Sequence, residues 1–350
     1  MNQKNSLANA AYTLIILLAL GYLLSIGKMV IVPIIFAIIL SFLLYPLCRK
    51  LESWKFNRIA AIFCSMLIAI LLILGLLTLF TSLFAGLFSD FDGFSEKVIK
   101  TMEDALDWVA SVPILNNNLK PMIKEGGMGW VNQLSGVLGS KLLSSTAIVG
   151  YLVIITVYTF LFLLYRSAFK KFILSWFKDP LLSKIEKMLY QFQKVTQSYF
   201  GGLIIAIGVI GTINSIGLYF IGIEHAFLFG FFAAFLTIVP YIGTTIGGLL
   251  PFLYAFFNYD ELWRPIAVLI FYQVVQAVEG NYITPKIVGD KVSVNPLVAI
   301  VVLIVGGFFW GIVGMVLSLP LTAIARVFLS NFESTKPFAY LLSNDFKSKE

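Results

Sequence analysis

Long apolar runs separated by short polar stretches dominate the pattern of hydrophobic and polar positions along the chain. A helix that crosses a membrane needs about 20 predominantly apolar residues. The pattern therefore predicts an all-α integral membrane protein with about eight transmembrane helices. The runs lie at 11–27, 29–47, 59–88, 142–165, 199–223, 226–257, 265–280 and 297–330.

The longest interval between runs, 89–141, has its own pattern. Its apolar residues recur at three- and four-residue steps between charged ones, which predicts an amphipathic helical region. Either this region packs on the outer face of the protein, or it lies at the membrane interface and caps a pathway.

Four sections of the chain follow from this pattern. We expect an N-terminal hairpin and third transmembrane helix at 1–88, and an extracytoplasmic amphipathic segment at 89–141. A transport core at 142–330 would contain an amphipathic cytoplasmic linker at 166–198, and 331–350 would form a short cytoplasmic tail.

Composition strengthens the membrane interpretation and limits which kinds of chemical site we expect. Hydrophobic residues make up 59% of the chain and charged residues only 12%, whereas soluble domains average about 25% charged residues. Soluble enzymes, disordered proteins and disulfide scaffolds are therefore excluded as classes. His225 is the single histidine, so we expect no metal site, and no cofactor is predicted.

The basic residues indicate how the helices are oriented. They concentrate in the loop after the second run and in the linker 166–198, while 89–141 carries an excess of acids. Cytoplasmic loops of membrane proteins are enriched in lysine and arginine. We therefore expect both termini in the cytoplasm, and we assign the net charge of +7 to contact with lipid headgroups rather than nucleic acid.

Catalytic and nucleotide-binding motifs are missing from the sequence. It has no Walker-type phosphate loop, no Gly-x-Ser-x-Gly elbow and no His-Glu-x-x-His pair. We expect neither ATP hydrolysis nor another enzyme activity.

Polar residues inside the seventh run are the first candidates for a transport path. Gln273, Gln276 and Glu279 follow one another at steps of three and share one helix face, and Asn281 comes next. An ionisable group within a membrane helix faces the protein interior or a water-filled cavity. Glu279 is therefore either a proton or cation carrier in a polar stripe, or a solvated helix end at the membrane edge.

The sixth and eighth runs are too long for one simple crossing, and both are interrupted by glycine and proline. Such breaks point to the binding site of a transporter, although the same glycines also suit close helix packing. We add Asn214, in the middle of the fifth run, and Tyr241 as candidate path residues; for Asn214 an interhelical hydrogen bond is the alternative. The break residues are Pro240, Gly243, Gly247 and Pro251 in the sixth run, and Gly307, Gly311 and Pro320 in the eighth.

Several of these residues also carry a family resemblance. The segment Val239-Pro240-Tyr241-Ile242-Gly243 resembles the V-P-Y-I-G segment of the autoinducer-2 exporter family, also called PerM-type permeases. Further similarity is carried by Glu279-Gly280-Asn281 with Pro285, Lys286, Gly289 and Pro296, by the glycines from Gly306 to Gly314 with Pro320-Leu321, and by Pro46, Arg58 and Ala60.

The resemblance implies a multi-pass transporter of the bacterial cytoplasmic (inner) membrane that assembles as a homo-oligomer, a pentamer in that family. It also implies a further helix break at Pro285. Family members export the autoinducer-2 signal or exchange sodium or lithium for protons, and the resemblance leaves both open.

Three functions are therefore weighed. The leading hypothesis is a secondary transporter that exports a small polar solute similar to autoinducer-2 and is coupled to protons. A sodium(lithium)/proton antiporter is the alternative, because it also needs a titratable carboxylate in its path. A passive channel or a membrane assembly scaffold represents a different class.

Overall fold

The structure is a computed structural model that describes residues 3–88, 146–239, 242–283, 287 and 294–344. In these ranges the protein is helical, apart from one isolated β-bridge between Val294 and Ser343. The predicted extracytoplasmic segment 89–141, together with Pro240, Tyr241 and Pro285, lies outside the described residues.

Eleven α-helices are described, numbered here in chain order. They are α1 (Gln3–Ile26), α2 (Lys28–Ser53), α3 (Arg58–Phe88), α4 (Thr146–Leu164), α5 (Arg166–Ser175), α6 (Leu181–Ile221), α7 (Ala226–Leu236), α8 (Ile242–Asn258), α9 (Trp263–Val278), α10 (Pro296–Ser330) and α11 (Lys336–Leu342). A π-helical segment, Glu279–Ile283, continues α9 without interruption.

Five described helices are long and apolar enough to cross a membrane, and the bent pair α4–α5 would supply a sixth span. Only 17–28% of the most apolar stretch of each of the five is buried inside the protein. That much outward apolar surface requires a lipid environment, which confirms the all-α integral membrane fold. The described spans are fewer than the eight apolar runs because two runs form shorter helices. The first run forms Leu14–Ile26, and the sixth forms Ala226–Leu236 and Gly247–Asn258.

The N-terminal half is built around α2, which packs on α3 and α4. Leu44 and Cys48 of α2 meet Ile62 of α3 and Leu163 of α4 in one buried cluster. Pro46 has no N–H, so the carbonyl of Phe42, four residues earlier, loses its helical partner. The side-chain amide of Gln197 on α6 donates to that carbonyl at 2.7 Å and thereby joins α2 to α6.

The sixth apolar run is a helical hairpin rather than a single interrupted crossing. Helices α7 and α8 pack side by side, and a Cβ on Gly247 of α8 would lie 2.6 Å from Ala233 of α7. Gly243 sits against the backbone of Leu236 and Thr237 at the turn. Helix α7 therefore ends at Leu236, and α8, which begins at Ile242, runs back beside it.

The eighth run also turns back on itself, inside α10. Gly311 has φ 62° and ψ −143°, a backbone conformation that is essentially restricted to glycine. Ser318 Oγ lies 2.7 Å from the carbonyl oxygen of Val302; sixteen residues of straight helix would instead span about 24 Å. Residues 296–310 and 312–330 are therefore the two antiparallel arms of a second hairpin, so α10 is not one straight crossing, although its length and composition would allow it.

Contacts at both ends hold the second hairpin. At its open end, the side chain of Asn295 accepts from the N–H of Val298 and donates to the carbonyl of Leu341 in the last turn of α11. At its tip, the indole of Trp310 donates to the carbonyl of Leu24 at 2.9 Å. Leu24 belongs to the last turn of α1, whose carbonyls have no partner within the helix.

Replacing Gly311 isolates the backbone requirement of this turn. No atom lies within 4 Å of a Cβ built at Gly311, so Gly311→Ala introduces strain without a steric clash. We expect a loss of about 1–3 kcal/mol in the free energy of unfolding, seen as a lower thermal unfolding midpoint in detergent. Gly208→Ala on α6 is the matched control, because its Cβ is also uncrowded and alanine favours a helix. Equal midpoints for the two variants would contradict the assigned turn.

Candidate functional site

The candidate site lies where α9 and its π-helical continuation run along α6. The ring of Phe271 packs against Gly217 so closely that a Cβ at Gly217 would overlap it. Twelve residues later, Ile283 packs against Ala206 and Ile210 of α6. Because the residue numbers rise along α9 as they fall along α6, the two helices are antiparallel.

Each hairpin packs on a different level of α6. The first hairpin lies against the C-terminal part, where Gly230 meets Ser215 and Gly211 meets Phe231. The second hairpin lies nearer the N-terminal end of α6, where Ala323 and Tyr199 share a buried cluster. Val294 joins that second cluster, whereas Ile283 and Ile287 pack against the cluster around Ala206 and Ile210.

The hydrogen-bond pattern of the helix changes from α to π at Glu279. The five residues from Glu279 to Ile283 form a π-helix, and π-turns within α-helices are frequent at functional sites. The helix therefore continues beyond Glu279, whose side chain is only partly exposed. Its Oε2 is buried and has no hydrogen-bond partner in the described part of the chain. Of the two interpretations drawn from the sequence, this geometry favours the interior carboxylate over the solvated helix end.

Two other buried polar atoms lie between the same two contacts of α6 with α9. Asn214 on α6 is 2% exposed, and its Oδ1 has no described hydrogen-bond partner. The hydroxyl of Tyr272 on α9 is also buried and unpaired among the described residues, and its ring packs over Gly248 of α8. Buried polar groups in native proteins are normally paired, so three exceptions between these two contacts of α6 with α9 mark this region.

The remaining polar candidates do not join this buried group. Gln273 and Gln276 are exposed on the surface of the single chain, next to the buried face formed by Tyr272 and Val275. Asn281 is also exposed, and its amide donates to the carbonyl of Ala277 on its own helix at 2.8 Å. The spacing in the sequence therefore groups four polar residues, of which the fold half-buries only Glu279.

The break residues line the two hairpins. In the first, Gly243, Gly247 and Pro251 are buried. In the second, Pro320 is buried, Gly307 is partly buried and Gly311 forms the exposed turn. Sequence reasoning missed Tyr272, because an isolated tyrosine in an apolar run is typical of a helix core. It also missed Ser318, whose hydroxyl joins the arms of the second hairpin.

Metal chemistry finds no support in the described residues, which contain no group of three histidine, cysteine or acidic side chains placed to hold an ion.

Comparison with known proteins yields a consistent result. A family model described as the AI-2E family transporter matches residues 14–334. The chain is similar to the AI-2 transport protein TqsA of Escherichia coli K12, with 25% identity over 90% of both chains. It is also 27% identical to the putative transport protein YueF of Bacillus subtilis, over 85% of this chain and 83% of that protein. YhhT of E. coli K12, a putative transport protein, matches at 29% identity over 38% of each chain.

Asn214 allows a structural role to be separated from a ligand-binding one. If its amide oxygen is unpaired, Asn214→Leu removes a buried polar atom that costs about 1–3 kcal/mol and leaves an apolar side chain of similar size. We expect an unchanged or higher thermal unfolding midpoint. Thr212→Leu, at an exposed position of the same helix, is the control. A midpoint several degrees lower for Asn214→Leu alone would show that the amide is a structural hydrogen-bonding group.

Proposed function

The chain belongs to the AI-2E transporter family, and from this membership we propose that it is a secondary transporter that exports a small polar solute. The name of its relative TqsA, an AI-2 transport protein, supports a solute similar to autoinducer-2. We further propose that protons drive the export across the bacterial inner membrane, with both termini in the cytoplasm.

The unpaired carboxylate of Glu279 is the observation that carries the proposal. It lies in a membrane-spanning stretch, Trp263–Ile283, and no cation is paired with it in the described part of the structure. A lysine or arginine partner would hold the carboxylate in its charged form. With no such partner among the described residues, the carboxylate would be available to bind a proton or to accept a hydrogen bond from a passing solute. Asn214 and Tyr272 would supply further polar contacts along the same path.

The two hairpins support a solute path at this level. Helix α7 has 11 residues and is therefore about 16 Å long, shorter than the hydrocarbon layer of about 30 Å. A hairpin of such helices turns inside the membrane, where non-helical backbone is tolerated only if it is buried in protein or lines a water-filled cavity. Broken helices of this kind provide backbone groups for solute binding in transporters. Tyr241 would contribute to this path as the sequence predicts. The break or hinge residues would be Pro240, Gly243, Gly247, Pro251, Pro285, Gly307, Gly311 and Pro320.

An antiporter is the second candidate. Glu279 and Asn214 would present oxygen atoms, which are the ligands that hard cations prefer. An exchanger of sodium or lithium for protons would use the same carboxylate, but it would move no organic solute.

We also propose a homo-oligomer, with the pentamer implied by the family resemblance as its form. The exposed Gln273 and Gln276 support an interface, because polar side chains in a membrane helix are costly against lipid and form hydrogen bonds between helices instead. A second copy packed on this face of α9 would cover them. A passive channel or scaffold built from such an assembly is the remaining class.

Glu279→Gln tests the proposed coupling. The glutamine keeps the size of the side chain but cannot carry a proton, so we expect loss of proton-coupled solute export at an unchanged thermal unfolding midpoint. The measurement is export from vesicles with opposed pH and sodium gradients. Glu333→Gln is the control, because Glu333 is 89% exposed outside the spans.

The outcomes of this experiment separate the three classes. Proton flux that depends on sodium or lithium, without solute movement, would identify an antiporter. Solute flux that ignores both gradients would identify a passive channel. Full gradient-driven export by Glu279→Gln would remove Glu279 from the mechanism.

A further inference from the structure

Three span ends meet at one level of the protein, which marks a membrane–water boundary. Arg166, just after α4, binds both carboxylate oxygens of Glu52 at the end of α2, at 2.6 and 2.7 Å. Arg58, at the start of α3, donates to the carbonyl of Leu163 at 3.1 Å. Trp54, in the turn between α2 and α3, is exposed, and tryptophan is enriched at this boundary in membrane proteins.

Helix α5 leaves this boundary sideways. Its axis is bent by 65° from that of α4, and its 10 residues extend over about 15 Å. The first residue, Arg166, is fixed by Glu52 and by stacking over the ring of Tyr45 at 5.1 Å. Lys170 forms an ion pair with Glu186 of α6 at 2.5 Å. The direction of α5 is therefore held by contacts to two different parts of the protein.

The outward face of α5 is aromatic. Phe169, Phe172 and Trp176, the last just after the helix, are spaced by three and four residues and so share one face. All three are exposed, Trp176 at 74%, and the rings of Phe172 and Trp176 meet edge-on at 5.9 Å. Ile173 and Leu174 are partly buried, which places the aromatic face beside the packed side of the helix. Aromatic faces of this kind are typical of helices that lie in the membrane interface.

Basic residues accompany the aromatic face. The stretch 166–178 contains four lysine or arginine residues and no acid. Arg166 and Lys170 are bound to carboxylates of the protein. Lys171 and Lys178 are exposed and have no carboxylate partner in the described ranges. Lys171 lies about 140° around the helix from Trp176, so a helix with its rings in the lipid keeps Lys171 at the headgroup level or in water.

We infer that α5 is an interfacial helix that binds anionic phospholipid headgroups in the leaflet at this boundary. Phe172 and Trp176 enter the region between headgroups and acyl chains, while Lys171 and Lys178 contact the phosphates. The positive charge of 166–178 selects anionic over zwitterionic lipid. This assignment concerns a surface outside the proposed transport path and does not depend on Glu279.

Depth measurements on the full chain test where α5 lies. In a background of Cys48→Ala and Cys64→Ala, nitroxide labels are placed at Trp176→Cys or Lys171→Cys, with Phe172→Cys as a second label if the first variant fails to fold. The protein is reconstituted in phosphatidylcholine vesicles with phosphatidylglycerol. We expect oxygen to relax the label at 176 more strongly than a water-soluble nickel complex does, and the reverse at 171. Equal nickel access at positions 171 and 176 would place α5 in water. If neither oxygen nor nickel reaches either label, α5 is covered by another copy of the chain. Either result overturns the inference.

Lipid selectivity tests whether Lys171 and Lys178 bind anionic headgroups. Spin-labelled phosphatidylglycerol should associate with the reconstituted protein more than spin-labelled phosphatidylcholine, and Lys171→Gln with Lys178→Gln should reduce that preference by about twofold. Lys187→Gln with Lys194→Gln removes the same charge from exposed positions of α6 and should leave most of the preference intact. An unchanged preference in the first pair, or an equal loss in both pairs, contradicts headgroup binding by α5.

Discussion

The structure depends on one requirement, that backbone N–H and C=O groups inside a hydrocarbon layer find partners within the protein. Helix α2 shows this requirement at a single position. Pro46 leaves the carbonyl of Phe42 without its helical donor, and Gln197 of α6 donates to that carbonyl from a distant part of the sequence. The second hairpin shows it at a turn, where Trp310 donates to the carbonyl of Leu24 near the end of α1. In both cases a side chain of another helix donates to a carbonyl that has no helical donor, which links the N-terminal half to α6 and to the second hairpin.

Small residues make the hairpins possible, because two short helices can share donors only if their backbones approach closely. Gly247 lies against Ala233 in the first hairpin, and Gly306 lies against Gly314 and Ser318 in the second. The hydroxyl of Ser318 then reaches the carbonyl of Val302 in the opposite arm. Both hairpins rest on α6, whose 41 residues give it enough length to support them at different levels. The π segment follows α6 between those levels, so the candidate site is positioned by the same helix that orders the hairpins.

The sequence allows the membrane class and the broken runs to be predicted, because apolar length and Gly/Pro interruptions are local properties. It does not reveal that 226–257 and 297–330 reverse, since a glycine within an apolar run is compatible with packing, a kink or a turn. For 297–330, the positive φ of Gly311 and the contact between Ser318 and Val302 show that the chain makes a turn. The members of the predicted polar stripe differ in burial for a similar reason. Spacing places Gln273, Gln276 and Glu279 on neighbouring positions of one helix, but their burial depends on which helices pack beside them. Tyr272 was missed because its burial and its unpaired hydroxyl are properties of the packed structure.

Charged residues within the hydrocarbon layer also need partners. Whether a charged residue has a partner in the protein distinguishes a structural role from a proposed transport role. Arg166 and Glu52 bind each other through two contacts at the ends of the spans, where water reaches part of both side chains. Such a pair fixes a structure, because each group neutralises the other. Glu279 lies within a span, and its buried oxygen has no partner among the described residues, which is why we propose that its partner comes from outside the chain. A proton, a cation or a hydrogen-bond donor on a solute would each satisfy that oxygen. Among the described residues, the fold thus pairs Arg166 with Glu52 at the membrane boundary and leaves Oε2 of Glu279 unpaired within a span. The proposed transport role rests on this difference.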